Sequence, residues 1–240
     1  MAGKQAGLGK GTRSGLLYEC EKIIEAKKPK YLLLENVKNL VGKKFKPQFD
    51  EWLAYLESLG YTNYWKILNA KDYGVPQNRE RVFVVSILGD HKPYKFADKI
   101  PLDKCIADIL EDEVDEKYYL SEDIQKRFKI TNQNKNIIGT TKPEFRTIGQ
   151  RDLVYDKNGI MGALVATDYK QPKQILDTLE NYRIRKLTPR ECFRLMGMRD
   201  DDIDKIQAAG ISNTQQYKIA GNSIVVNVLE VIFEKLFMEG

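Results

Sequence analysis

The sequence predicts an α/β protein: a partial doubly wound, Rossmann-like sheet with a smaller β/loop-rich domain. Three observations predict it. Helix-period and strand-like segments alternate over residues 15–88. The all-apolar runs Tyr31-Leu32-Leu33-Leu34 and Val82-Phe83-Val84-Val85 have strand length, and the first, preceded by a helix, points to a parallel sheet covered on both faces. The alternation stops between residues 91 and 185, where polar residues and glycines punctuate short apolar pieces, and helices return from 186 onward. The expected domains are therefore 1–90, 91–185, and 186–240 returning to the first.

The opening stretch, MAGKQAGLGKGTRSG, has glycines at 3, 7, 9, 11 and 15, the cations Lys4, Lys10 and Arg13, and no acid. It reads as a mobile cationic loop or as a frayed terminus, because glycines supply no side chains for a core. A helix over 15–28 follows, with Leu16, Leu17, Cys20, Ile23 and Ile24 at helical spacing, and Pro29 stops it. A second helix over 47–59 turns Phe49, Trp52, Leu53, Leu56 and Leu59 inward, and Gly60 caps it. Strands are expected at 31–34, 61–68 and 81–88, with a loop over 69–77. The acids of 108–116 read as one solvated helix face. Thr188-Pro189-Arg190-Glu191 is a capping box with proline in the first helical position, and Ser212-Asn213-Thr214-Gln215 is a second such signal. Asn222 is expected to open a last helix over 223–238, striped by Ile224, Val225, Val228, Leu229, Ile232, Phe233 and Leu236.

Of 240 residues, 42% are hydrophobic and 30% charged, which suits a packed domain rather than a disordered chain or a rod. Apolar runs are far short of the roughly 20 residues that cross a bilayer, so no membrane span is expected. No charged stretch followed by an apolar one opens the sequence, so no secretory signal is read. Cys20, Cys105 and Cys192 are odd in number and far apart, which gives neither a disulfide framework nor a zinc spacing and suits the reducing cytoplasm. His91 stands alone, which excludes a histidine-built metal site or a Ser-His-Asp triad elsewhere. A net charge of +5 permits nucleic-acid binding without requiring it.

Glu35 ends an apolar strand, where open α/β sheets place their reactive crevice. A carboxyl group desolvated there holds its proton nearer neutrality, although a strand-end glutamate is also commonly paired or solvated. Asn36 is expected to fix the turn. Gln77, Arg79 and Arg81 alternate, so an extended chain would set them on one face, as donors for phosphate or a carbonyl oxygen or as a charged strand edge. Asn222 and Ser223, after Gly221, suit either a ligand at a helix start or an ordinary cap. Gly149-Gln150-Arg151-Asp152 lies in a stretch whose side chains can read base edges and are equally typical of loops. The three cysteines read as structural.

Four segments in this order carry a resemblance: Leu34-Glu35-Asn36-Val37-Lys38-Asn39, Tyr73-Gly74-Val75-Pro76-Gln77-Asn78-Arg79-Glu80-Arg81, Arg185-Lys186-Leu187-Thr188-Pro189-Arg190-Glu191 with Arg194-Leu195-Met196-Gly197, and Gly221-Asn222-Ser223-Ile224-Val225-Val226. Together they resemble the cytosine-C5 DNA methyltransferases of restriction-modification type, over 1–90 and 183–238. The unmatched middle falls where that family keeps its variable target-recognition domain. Gly3-Lys4-Gln5 and Thr12-Arg13-Ser14 resemble its mobile catalytic loop, with Arg13-Ser14-Gly15 departing from the usual Arg-Gly.

The resemblance implies a methyltransferase sheet, S-adenosylmethionine as methyl donor, and double-stranded DNA with a flipped cytosine as substrate. It gives Glu35 the task of protonating or hydrogen-bonding cytosine N3, and Arg79 or Arg81 that of contacting the base. Lys4, Gln5, Arg13, Gln77 and Arg151 become DNA contacts, and Asn222 and Ser223 border the cofactor. The family's Pro-Cys nucleophile and its glycine-rich cofactor strand have no counterpart in these residues. An incomplete or split form is thus expected, needing an N-terminal methyltransferase subunit or fragment and inactive alone. The alternatives are a non-catalytic DNA-recognition subunit or remnant and, last, a different nucleotide-binding α/β protein, which lacks a glycine-rich phosphate turn after a strand.

Overall fold

The computed structural model describes residues 16–145, 147–178 and 182–238. They group into two compact units, one holding 16–69, 80–98 and 231–238, the other 70–79 and 99–230. Residues 70–79 and 186–230, read from sequence with the first part, thus cluster with 99–185.

In the first unit, α1 (Leu16–Lys27) leads into β1 (Tyr31–Val37), and α2 (Lys46–Ser58) into β2 (Tyr61–Asn69). Gly60 supplies the left-handed residue, φ 95°, that ends α2 and starts β2. β4 (Glu80–Leu88) then inserts between the two strands, giving the order β1-β4-β2 with both pairings antiparallel. This corrects the parallel sheet read from the apolar runs. Such a run reports burial on both faces, and β4 has it because it is central, with Val82 to Ile87 all buried. Among the described residues β1 carries a neighbour on one side only, and its Tyr31 and Leu33 are 41% and 36% exposed.

One sheet face packs Val82 and Val84 with Ile24 of α1 and Phe49, Trp52, Leu53 and Leu56 of α2. Each such side chain contributes about 1.5–3 kcal/mol on burial. The end of α7 (Val226–Phe237) approaches the strands as well: Phe237 meets the Tyr31 ring edge-on at 5.2 Å, and Tyr94 donates to Ile232 O at 3.4 Å.

The second unit holds a five-stranded sheet in the order β10-β9-β7-β6-β5, built from β5 (Lys129–Asn134), β6 (Ile137–Thr140), β7 (Leu153–Tyr155), β9 (Gln174–Thr178) and β10 (Arg183–Lys186). A short parallel pair joins β3 (Gln77–Asn78) to β8 (Met161–Gly162). The β- and loop-rich reading of 91–185 matches these elements. The acids of 108–116 form no continuous helix; 3-10 turns at Ile106–Ile109 and Glu116–Tyr118 flank an irregular stretch.

Short α3 (Glu122–Gln125) precedes β5, and α4 (Pro189–Arg194), α5 (Asp200–Ala208) and α6 (Asn213–Asn222) follow β10. Both expected caps are present: Thr188 Oγ1 accepts from Glu191 N at 3.2 Å, and Ser212 Oγ from Gln215 N at 3.4 Å. Glu191 also receives a fork from Arg185, Nη2 to Oε1 at 2.8 Å and Nη1 to Oε2 at 2.9 Å, with both side chains fully buried.

Candidate active site

Register explains how β1 and β4 bring an acid and a guanidinium together. Glu35 lies opposite Phe83, and Val37 opposite Arg81. Residues opposite one another or two apart share a face, so Glu35 and Arg81 are diagonal neighbours, within reach of long side chains. Arg81 Nε meets Glu35 Oε1 at 3.0 Å, with only 15% and 19% of the two side chains exposed. Arg81 Nη1 donates to Glu80 O at 2.8 Å, which fixes the plane of the guanidinium. Burial lowers the Arg81 pKa from its usual value, and the neighbouring Glu35 charge opposes that shift. Asn36 Oδ1 accepts from Val37 N at 2.8 Å, which holds the turn leaving β1. Lys38, next along, pairs with Glu80 at 2.9 Å.

Residue 79 lies between β3 and β4, and Arg79 and Gln77 both belong to the second unit. Gln77 is wholly buried; its Nε2 donates to Leu195 O at 2.6 Å, and its Oε1 accepts from Leu164 N at 2.9 Å. Arg79 is 4% exposed and donates to three backbone carbonyls: Leu164 at 2.6 Å, Ser223 at 2.9 Å and Gly221 at 3.2 Å. Neither side chain presents its polar end to solvent; both spend it on the protein's own backbone.

Asn222 and Ser223 also sit differently. Asn222 is the last residue of α6 and Ser223 its C-cap; the next helix starts only at Val226. They close a helix, so the free N–H groups of a helix start are not beside them. Ser223 turns Oγ onto Ala220 O at 2.9 Å and gives its carbonyl to Arg79, while Asn222 is exposed. Gly221 was not singled out as a site residue, yet a Cβ there would lie 2.4 Å from the Val165 carbonyl carbon, so only glycine permits this approach. Its signal in the sequence was the Gly-Asn-Ser run itself.

Arg151 is exposed in a 3-10 turn, Gln150–Asp152, whose shape is held by Gln171 and Gln174 donating to the Arg151 carbonyl at 3.0 and 2.9 Å. Lys4, Gln5 and Arg13 lie outside the described residues. Cys20 is exposed, Cys105 partly buried and Cys192 buried, and desolvation pushes the Cys192 thiol well above its usual pKa. Among the described residues no three His, Cys, Asp or Glu side chains are grouped to hold a metal ion, and no helix is long and apolar enough to cross a membrane.

The arrangement has relatives. The model of the C-5 cytosine-specific DNA methylases matches residues 1–238. The chain is 47% identical over 245 residues to the type II methyltransferase M2.ScrFI of Lactococcus lactis subsp. cremoris, covering 99% of this chain and 63% of that one. With the type II methyltransferase M.NlaX of Neisseria lactamica it shares 34% identity over 238 residues, covering 97% and 71%. The solved structure of S. pombe Dnmt2 methyltransferase superposes with a TM-score of 0.72 at 18% identity, over 95% of this chain and 74% of that one, which shows the Rossmann-like methyltransferase fold. The chain spans 63% of M2.ScrFI and 61% of M.SsoII from Shigella sonnei. A match that runs through both compact units, with 34–47% identity to named methyltransferases, leads to one assignment: the chain belongs to the C-5 cytosine-specific DNA methylase family.

Proposed function

We propose that this chain is the target-holding and DNA-recognising part of a DNA cytosine-C5 methyltransferase. The observation that carries the reading is the Glu35–Arg81 pair at the carboxyl end of β1. Cytosine presents an acceptor, N3, beside a donor, the exocyclic amino group. A protonated carboxyl group matches that pair: its O–H meets N3 and its carbonyl oxygen accepts from the amine. Thymine carries the reverse pattern and is rejected. Proton donation to N3 withdraws electrons from C6 and opens it to a thiolate. Arg81 positions the carboxyl group and offers N–H donors to the base carbonyl. The target base inside a duplex is unreachable, so the reaction requires base flipping.

The nucleophile and most of the S-adenosylmethionine site are supplied by protein outside these 240 residues, in the same polypeptide or in a partner. Cys192 is buried with its thiol held protonated, and Cys20 and Cys105 follow no proline. The cofactor supplies an electrophilic methyl group when bound. Of the two residues expected at its edge, Asn222 offers an exposed carboxamide, whereas the Ser223 hydroxyl is engaged within α6. Lys4, Gln5, Arg13 and Arg151 are proposed DNA contacts, and double-stranded DNA in the cytoplasm is the proposed substrate. Arg79 and Gln77 act as positioning residues, joining the QNRER turn to Leu164 and to the end of α6.

The test is reconstitution. The chain is mixed with a fragment carrying the Pro-Cys loop and the cofactor strand, and tritium transfer from labelled S-adenosylmethionine to DNA is measured. Transfer by the pair and none by the chain alone is the expected result. The placement of the cysteines also favours a second reading, a non-catalytic DNA-recognition chain, and DNA binding without transfer under any pairing would establish it.

A further inference from the structure

The second unit holds a cavity of about 440 Å³, lined by the carboxamides of Asn78, Asn134, Asn136 and Gln150 together with Tyr155 and Met161. Among the described residues that line it, none is charged. A phosphate enclosed there would keep an uncompensated charge, so the lining suits a neutral, hydrogen-bonding group. Asn134 and Asn136 flank Lys135 at the tip of the β5–β6 hairpin, where Asn134 is the strand partner of Ile137. The backbone orients both carboxamides: Asn134 Oδ1 accepts from Asn136 N at 2.9 Å, and Asn136 Oδ1 accepts from Ile160 N at 3.1 Å. Each oxygen is engaged, and neither amino group donates to another of the described residues. A second turn braces the tip. Asp156 N donates to Asn136 O at 2.9 Å, and a Cβ at Gly159 would lie 2.9 Å from the Asn136 Cα.

We propose that Asn134 and Asn136 determine specificity by donating to the paired acceptors, N7 and O6, of a guanine in the recognised DNA site. The proposal rests on the DNA-recognising function proposed above and names the base edge that is read. The major groove, about 12 Å wide, admits a two-stranded ribbon such as this hairpin. Guanine is the base whose edge there offers two acceptors. Adenine sets one acceptor beside a donor, thymine one beside a methyl group, and cytosine offers a donor. Two amino groups whose own oxygens are engaged therefore select guanine, and the braced tip holds them in place before DNA arrives.

The experiment uses the full chain and a pool of randomised duplexes, with bound DNA recovered and sequenced. Wild type, N134D, N136D and N158D are compared. An aspartate keeps the oxygen that accepts from the backbone and turns the amino group into an acceptor, so the fold is kept while the reading is inverted. Asn158 is exposed in the neighbouring turn and does not line the cavity, so N158D adds the same charge elsewhere. Wild type is expected to enrich a fixed guanine. N134D and N136D should each lose about tenfold of that preference and favour cytosine, whose amino group a carboxylate accepts, and N158D should keep it. Replacing the selected guanine by 7-deazaguanine, which lacks N7, should weaken wild type about tenfold and leave at least one of N134D and N136D unaffected. Thermal melts check that the four proteins fold alike. Binding with no fixed guanine, or a guanine preference that N134D and N136D retain, overturns the site and leaves the proposed function standing. An equal shift in N158D, or indifference of wild type to 7-deazaguanine, overturns it as well. Failure of wild type to bind any duplex removes both the site and the function on which it rests.

Discussion

Arg81 Nε and Glu35 Oε1 lie 3.0 Å apart although the two residues are not register partners. The contact is diagonal across an antiparallel pair, so it depends on β4 lying directly beside β1. Each side chain is mostly enclosed, so replacing either leaves the other without its partner in a poorly solvated place. Glu35→Gln keeps the shape and removes the transferable proton. In the reconstituted enzyme it is expected to lower kcat by about 100-fold or more, a usual share for general acid catalysis. The KM for DNA should change little. Single-turnover tritium transfer measures the first and a DNA titration the second; a kcat within threefold of wild type would remove Glu35 from the chemistry.

Arg79 is expected to act through structure. Its three carbonyl contacts link Leu164 to the end of α6. Arg79→Ala should destabilise the chain by about 3 kcal/mol, because buried charge-assisted hydrogen bonds contribute about 1.5–3 kcal/mol each and losses at one site do not simply add. Arg79→Lys should rescue little, since one ammonium cannot reproduce the planar fork. Urea unfolding checks both, and a stability change below 1 kcal/mol would argue instead for a role toward ligand.

Glu191→Ala leaves the Arg185 guanidinium buried with Asp177 at 3.2 Å as its remaining carboxylate partner. A loss of about 3–5 kcal/mol is expected on breaking such a pair. The paired replacement R185M/E191L should be far less damaging than the single change, which calorimetric melting of the three proteins would show.

Burial raises the Cys192 thiol pKa and also that of Tyr217, whose hydroxyl donates to Leu187 O at 2.7 Å. Both groups bind protons more tightly folded than unfolded. Their contribution is therefore complete below the unfolded values, roughly 8.5 for Cys and 10 for Tyr, and is lost as pH rises above them. Stability measured from pH 7 to 10.5 should fall at the alkaline end, and less so in Cys192→Ala. Alkylation at pH 8 should label exposed Cys20 and spare Cys192 until denaturant is added.

The elements most legible in the sequence were those with a local cause. Thr188 and Glu191 form a reciprocal cap three residues apart, and Pro29 and Gly60 stop helices by backbone chemistry alone. Glu35 was legible as a strand-end acid, and its arginine partner was among the residues named. Strand direction was not legible, because Val82–Val85 would look the same in either orientation; pairing is decided by which segment arrives between which. The fate of Gln77 and Arg79 was hidden for a related reason. Their side chains are engaged by the carbonyls of Leu164, Leu195 and Gly221, between 85 and 142 positions away, which no local pattern announces. Asn222 was misplaced because a polar residue after glycine marks either end of a helix equally well.

The central place of β4 imposes an order of assembly. β2 and β4 are near neighbours in the chain and can zip as a hairpin, whereas β1 must wait for a partner that begins at Glu80. On a ribosome, β1 emerges first, and the intervening residues 38–79 are polymerised before its sheet neighbour exists. Throughout that interval Tyr31-Leu32-Leu33-Leu34 is a bare, sticky strand, so slowing translation across residues 38–79 should lower the yield of folded chain, and chaperone capture should restore it.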